Sequence, residues 1–459
     1  MIDLLPPPLE LATLNIMSDQ PNQSSKHHQS DQDYMAYALG LAESVLYLTD
    51  PNPRVGCVIV QDGQIIGEGA TQVAGGPHAE VMAIRDAQEK GYAAQLAGAT
   101  FYVSLEPCSH YGRTPPCVEA LIEHRAGRVV IAMTDPNPLV AGQGITKLRA
   151  AGIEVVLNVL SEHALQMNPG FVSRMAQQRP WVWSKIACSL DGQIALQNGQ
   201  SQWITGPQAR ADGHHWRARS SVILSGLGTI EFDNPMLNVR YVETSRQPIR
   251  AVIDSQFAIR EDRLLFNGDP VYLFVCREDK AKAERLAAKN VEVIVVPAGD
   301  DGLARPQAMG QAGAERFGSA RQGVELVGAD SSAESKTPVA ERLEKRLEID
   351  APEELREHIN LHMVMRLLAE RGVNEVHVEA GPGLNGALLQ AGLIDELLVY
   401  MAPMIIGPGQ GAFKMPALSD LVESFKFEFI EQQQVGYDLR LRLRQAERWQ
   451  ELLAAVQMA

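Results

Sequence analysis

The chain is expected to fold as two α/β layer domains, and three observations point there. Strand-like and helix-like segments alternate from Asp31 to about 177. The alternation stops at QQRP (177–180) and then starts again with WVWSKIA. The length, 459 residues, exceeds what one hydrophobic core ordinarily organises.

Taken in order, DYMAYALGLAESVLYL (33–48) carries apolar residues at helical spacing. VGCVIVQDGQIIGEG (55–69) is two apolar runs about a QDG turn and predicts a hairpin. A helix from about Ala79, a strand ATFYVSL, a helix CVEALIEHR, a strand RVVIAM, a helix GITKLRAAG and a strand IEVVLNV follow, then one helix over about 161–177. This rhythm predicts a mostly parallel sheet covered on both faces. In the second half SVILSG, IRAVID, VYLFVC, VEVIVV, EVHVEAG and ELLVYMAP read as strands. The expected units are a disordered tail at 1–30, a first domain at 31–178 and a second at 179–447. Met17 opens a polar stretch and is an alternative start. The Ala-, Gly-, Ser- and Gln-rich segment 298–345 has no sustained period and is expected to be a solvated insertion. Helical order is expected to resume at a capping box formed by Asp350 and Glu353, with Pro352 in the first turn.

The formal net charge of −15 argues against a nucleic-acid partner. No run approaches the roughly eighteen apolar residues that a bilayer span requires, so no membrane role is expected. Five cysteines in so long a chain do not form a disulfide framework. The first seventeen residues, MIDLLPPPLELATLNIM, are too acidic and proline-broken for a secretory signal, so a reducing cytoplasm is the expected location.

Four chemically demanding residues fall close together. His78 and Glu80 stand at a helix start in GGPHAEVMAIRDA, and SLEPCSHYGRTPPC holds Cys108 and Cys117. A His-x-Glu step followed by a Pro-Cys and a second cysteine is the arrangement a zinc-dependent deaminase needs. His78, Cys108 and Cys117 would supply three ligands and leave a tetrahedral position for water. Glu80, not a ligand, would then shuttle the proton. The alternatives are a structural zinc or two buried thiols. Cys57, Cys188 and Cys276 lie in or beside apolar strand patterns and read as core. His27 and His28, and His214 and His215, have no partner cysteines nearby.

HAE followed by EPCSHYGRTPPC resembles the deaminase half of the bifunctional, RibD-type riboflavin-biosynthesis enzymes, whose eight-residue gap between cysteines differs from the two of ordinary cytidine deaminases. TDPNPRVGCVIV is similar to that family's substrate loop, which implies Asn52 as a contact to the pyrimidine. In the second half, VEAGPGLNGALL is a strand, a glycine-rich turn and a helix start, a weak sign of phosphate binding by itself. KIACSLDGQIAL, SQWITG and ILSGLGTIEFDNPMLNVR resemble the same family's reductase domain. The resemblance covers about 33–440 apart from the insertion. It implies a cytidine-deaminase-like α/β/α domain followed by a dihydrofolate-reductase-like α/β domain that uses NADPH. It also implies cofactor contacts at Ala187, Trp203, Thr229, Asp233, Ser255 and Gly381, Pro382, Gly383, Leu384, Asn385, Gly386 and Ala387. Substrate contacts are implied at Ser201, Arg217, Leu237, Arg240 and Glu379, with Lys185 assisting reduction. Arg217 and Arg240 suit a phosphate because a guanidinium fork can bind two of its oxygens. The implied partner is a phosphorylated pyrimidine, and a homo-oligomer is expected. A nucleoside or tRNA deaminase with an appended domain and a zinc-stabilised flavin-precursor sensor are the competing readings.

Overall fold

The computed structural model describes residues 30–111, 115–138, 140–299 and 358–457. The expected tail up to residue 29, the insertion beyond Gly299 and the capping box at Asp350 lie outside the described residues.

Helix α1 (Asp31–Ser44) begins in a reciprocal capping box: the Ser30 hydroxyl accepts from the Asp33 amide, and the Asp33 carboxylate accepts from the Ser30 amide. The hairpin β1 (Gly56–Gln61) and β2 (Gln64–Ala70) turns at Asp62 and Gly63, both with positive φ, as the QDG reading expects. Next come α2 (Ala79–Glu89), β3 (Thr100–Val103), α3 (Cys117–Glu123), β4 (Arg128–Ile131), α4 (Gln143–Ala150) and β5 (Glu154–Val156). The sheet order is β2-β1-β3-β4-β5, with β1 antiparallel to both neighbours and only β3, β4 and β5 parallel. The single helix expected over 161–177 is two, α5 (Ser161–Met167) and α6 (Pro169–Gln177). Pro169 has no amide to continue the first helix and is well placed to open a second.

The second half forms a nine-stranded sheet from β6 (Trp181–Ser189), β8 (Val222–Gly226), β9 (Ile249–Ile253), β10 (Val271–Val275), β11 (Val291–Val295), β12 (Glu375–Val378), β13 (Glu396–Ala402), β15 (Glu428–Val435) and β16 (Asp438–Arg444), while β7 (Gln193–Leu196) and β14 (Gly409–Gly411) pair separately. The order is β11-β10-β9-β8-β12-β6-β13-β16-β15, parallel from β11 through β13 and antiparallel at β16 and β15. Among the described residues, five helices flank or cap these strands: α7 (Pro207–Arg219), α8 (Leu227–Asp233), α9 (Lys280–Ala287), α10 (Leu361–Glu370) and α11 (Pro382–Gln390). The last helix, α12 (Ala446–Gln457), turns back onto α5 and α6 of the first half. Trp449 meets Trp181 edge-on there and donates its indole N–H to Glu162.

One apolar cluster therefore runs across both halves, joining Phe171 and Val172 to Trp181, Trp183, Trp216 and Trp449. Arg440, Arg442 and Arg444 of β16 lie over these indoles and are nearly buried.

Candidate metal centre and reductase cleft

Sheet register explains why the metal-binding side chains meet. Cys57 at the start of β1 pairs with Val103 at the end of β3, and Gly56 pairs with Ala70 at the end of β2. The loops entering β1, leaving β2 and leaving β3 therefore emerge at one edge. His78 caps α2, Cys117 is the first residue of α3, and Cys108 follows β3. Their ligand atoms all lie within 4.8 Å of one another. His78 Nδ1 is 3.6 Å from the Cys108 sulfur and 3.3 Å from that of Cys117. The Cys117 amide donates to the Cys108 sulfur at 3.2 Å, so the N-terminus of α3 favours a thiolate there. The hydrogen bond from the Cys117 thiol, with His78 beside it, holds Cys108 down to about 4.

Tetrahedral zinc with two thiolates and an imidazole sets its ligand atoms roughly 3.5–3.8 Å apart, so this donor set fits the ion. Glu80 lies in the first turn of α2, almost completely buried. Burial, helped by the Cys108 charge, pushes its carboxyl up to about 7. A carboxyl with that affinity can take and return a proton near neutrality.

Two further residues at this edge escaped the sequence reading. Glu106, directly before Pro107 and Cys108, accepts backbone amides from Asp135, Gly142, Gly144 and Ile145, and so ties the cysteine loop to the start of α4. Asp135 is buried, and burial raises its carboxyl to about 6. The available signal was the pentapeptide TDPNP, which occurs at 49–53 and again at 134–138.

The second candidate site lies at the carboxyl edge of the parallel strands, where open α/β sheets hold their ligands. Lys185 and Ala187 lie in β6. Glu379 follows β12, Ser255 lies just beyond β9, and Thr229 and Asp233 are on α8. A Cβ on Gly381 would lie 3.9 Å from the Thr229 hydroxyl, and one on Gly226 would lie 3.5 Å from Leu384, so α8 and the glycine-rich turn are neighbours. Arg217 grips Glu379 with Nε and Nη2 and gives Nη1 to the Asn238 carbonyl. Burial alone would raise Glu379, yet Arg217 holds it well below the usual carboxylate range. Burial lowers the neighbouring Lys185 amine. Arg240 is exposed, and its amide donates to His214 Nδ1. Of the two arginines, Arg240 is therefore the one standing toward solvent.

Some implied contacts have internal work. The Asn385 amide donates to Ala380 and accepts from Ser184, deep in the turn. Leu237 packs its side chain in the core, with φ 49°, leaving its backbone as the part able to meet a ligand. Trp203 is 67% exposed with Arg210 over its ring at 4.4 Å, and Ser201 is half-buried nearby in sequence. Asn52 is half-buried in the loop entering β1.

Comparison with known proteins adds the following. Residues 28–133 match the cytidine and deoxycytidylate deaminase zinc-binding region, and residues 180–316 and 326–441 match the RibD C-terminal domain. The chain is similar to the riboflavin biosynthesis protein RibD of Escherichia coli, 41% identical over 427 residues, covering 90% of this chain and 99% of that protein. It is 38% identical to the RibD of Haemophilus influenzae over 90% of this chain and 97% of that protein. Among solved structures, Acinetobacter baumannii RibD superposes with a TM-score of 0.70 at 34% identity, covering 90% of this chain and 98% of that one. A deaminase/reductase from Thermotoga maritima gives 0.70 at 30% identity, covering 91% and 99%.

Proposed function

The chain belongs to the RibD family of bifunctional riboflavin-biosynthesis deaminase/reductases, and from that premise we propose which substrate it takes and which residues act. The first substrate is 2,5-diamino-6-(5-phosphoribosylamino)pyrimidin-4(3H)-one, whose 2-amino group is replaced by oxygen from water with release of ammonia. The observation that carries this reading is the buried carboxyl of Glu80 beside the His78, Cys108 and Cys117 donor set. Zinc held by those three residues would supply a Lewis acid that makes water nucleophilic at neutral pH. Glu80 takes one proton from the attacking water and gives it to the ring nitrogen, then takes the remaining hydroxyl proton and gives it to the amine, which leaves as ammonia. Asn52, in the loop entering β1, orients the pyrimidine.

In the second cleft NADPH would supply a hydride to the ribosyl carbon of 5-amino-6-(5-phosphoribosylamino)uracil, producing the ribityl side chain. Lys185, its amine made a readier proton donor by burial, gives the accompanying proton. Glu379 is kept ionised by Arg217 and can accept a sugar hydroxyl, and Arg240 takes the phosphate. Ser201 and the Leu237 backbone complete the substrate side. Ala187, Trp203, Thr229, Asp233, Ser255 and the turn from Gly381 through Ala387 line the cofactor side.

We also propose a cytoplasmic homo-oligomer. All five cysteines are free, which suits a reducing compartment. Among the described residues no helix is long and apolar enough to cross a membrane. β15 is an edge strand that exposes Phe429, and Leu421, Val422 and Tyr437 are exposed in the segments before and after it, apolar surface that a second copy would cover. Light scattering of the purified chain tests assembly. Ammonia release from the diaminopyrimidinone, followed in the same cuvette by loss of reduced-nicotinamide absorbance, tests the two reactions. Both signals in that order are expected, and ammonia without NADPH oxidation would overturn the second assignment.

A further inference from the structure

The loop entering β1 belongs to the first half of the chain but is held mainly by the second. Asp50 accepts from the Ser221 hydroxyl at 2.7 Å and from the Asn374 amide group at 3.1 Å, and Arg246 lies 3.5 Å from its other oxygen. The same Asn374 group donates to the Pro51 carbonyl at 2.9 Å. At the other end of the loop, Arg54 is 5% exposed and pairs with the fully buried Glu375 at 2.8 Å. Arg219 closes on the second oxygen of Glu375 at 3.0 Å. Asn168 brackets Arg54 through both its backbone amide and its carbonyl. Between these anchors sits Asn52, and its amide donates to the Thr49 carbonyl within the loop.

The loop also reaches the metal edge. The Val55 carbonyl accepts from Thr71, beside the exit of β2. Gly56 exchanges hydrogen bonds with Ser104, four residues before Cys108. We infer that the reductase domain is a working part of the deaminase site, with Ser221, Asn374 and Glu375 as positioning residues that hold the 49–54 loop, and through it Asn52, against the pyrimidine. The inference rests on the reading of Asn52 as a substrate contact.

Geometry separates this role from reduction. Ser221 and Glu375 stand at the entry ends of β8 and β12, whereas Glu379 and Gly226 lie at the exit ends. Four residues of strand span about 13 Å, so a change at the entry end leaves the reductase cleft in place. Glu375 alone is a poor probe, because its removal strands two buried guanidiniums and endangers the fold. Ser221→Ala removes the hydroxyl that serves Asp50 and the Asn374 and Glu375 amides while Arg246 still pairs Asp50, Asn374→Ala also takes the acceptor of the Arg174 Nε, and Ser221→Thr keeps the hydroxyl.

The experiment uses the full-length, zinc-loaded protein. It measures deaminase KM and kcat, zinc content, melting temperature, and the reductase rate on deaminated substrate supplied directly. Ser221→Ala and Asn374→Ala are each expected to raise deaminase KM about tenfold, with zinc content and reductase rate unchanged, and Ser221→Thr to recover most of the loss. Asn52→Ala is the reference and should raise the same KM. If Asn52→Ala raises KM and neither seam variant does, the positioning role is wrong and the substrate contact stands. If Asn52→Ala is silent, the substrate contact fails and the inference fails with it. Equal loss of both activities together with a lowered melting temperature would show a merely structural seam and would also overturn it.

Discussion

Glu80 and Glu375 are both buried carboxyls, and the chain treats them in opposite ways. Burial lifts Glu80 to about 7, with the charge of Cys108 adding to the effect. Burial also pushes Glu375 up, but Arg219 and Arg54 beside it bring it down to about 2. What separates a proton shuttle from a structural anchor is therefore the sign of the charge beside the carboxyl, not its depth. The seam surrounds its acid with guanidiniums, whereas Glu80 stands beside the thiolate and imidazole that would hold the metal.

The largest test of this contrast is Glu80→Gln. The amide keeps the shape but cannot shuttle a proton, so deamination should fall by about 10²–10⁴-fold. Bound zinc and the reductase rate should be unchanged. Loss of zinc in this variant would mean that Glu80 is a ligand, and the comparison would collapse.

Glu375→Ala comes next and should be costly to the fold, beyond any loosening of the 49–54 loop. Two guanidiniums would be left buried without a counter-charge, a loss of about 3–5 kcal/mol of stability. Denaturant unfolding would measure it, and a change below about 1 kcal/mol would show that the seam is not held by this pair.

The acid response of the same group gives a smaller, graded effect. The folded value of Glu375 is depressed below its ordinary 4.5, so its contribution is fully present above that pH and is lost as pH falls from there toward about 2. The difference corresponds to about 3 kcal/mol at neutral pH. Wild-type stability should decline through this window more steeply than that of Glu375→Gln. Parallel curves would mean that other carboxyls dominate acid unfolding.

The metal centre was legible because its chemistry is local and selective: few residue types bind zinc, and three of them recur within forty positions of one another. The seam was not. Arg54, Arg219 and Glu375 lie in three distant segments, and each reads alone as an ordinary surface charge. Only the fold brings them together. Arg440, Arg442 and Arg444 mislead in the same way, because alternation marks them as outward-facing while the tryptophans of the seam cover that face. The hairpin at Asp62 and Gly63 was legible from its turn chemistry. The return of α12 onto α5 and α6 was not, since a helix's apolar stripe says nothing about which domain covers it.

The glycine-rich turn supplies the finest distinction between scaffold and site. A Cβ on Gly386 would lie 2.0 Å from the Lys414 carbonyl, so that glycine is required by packing whatever ligand binds. A Cβ on Gly383 would meet nothing within 4 Å, and Gly383 is the second residue of α11. Alanine there should leave stability unchanged or raise it by about 0.5–1 kcal/mol, because helix propensity improves and the unfolded chain loses freedom. Packing therefore gives no reason for a glycine at 383, whereas a phosphate drawn against the turn would give one. Gly383→Ala is expected to raise the KM for NADPH several-fold with an unchanged melting curve. An unchanged KM would move the pyrophosphate away from this turn, and Gly386 would then be the residue that explains the motif.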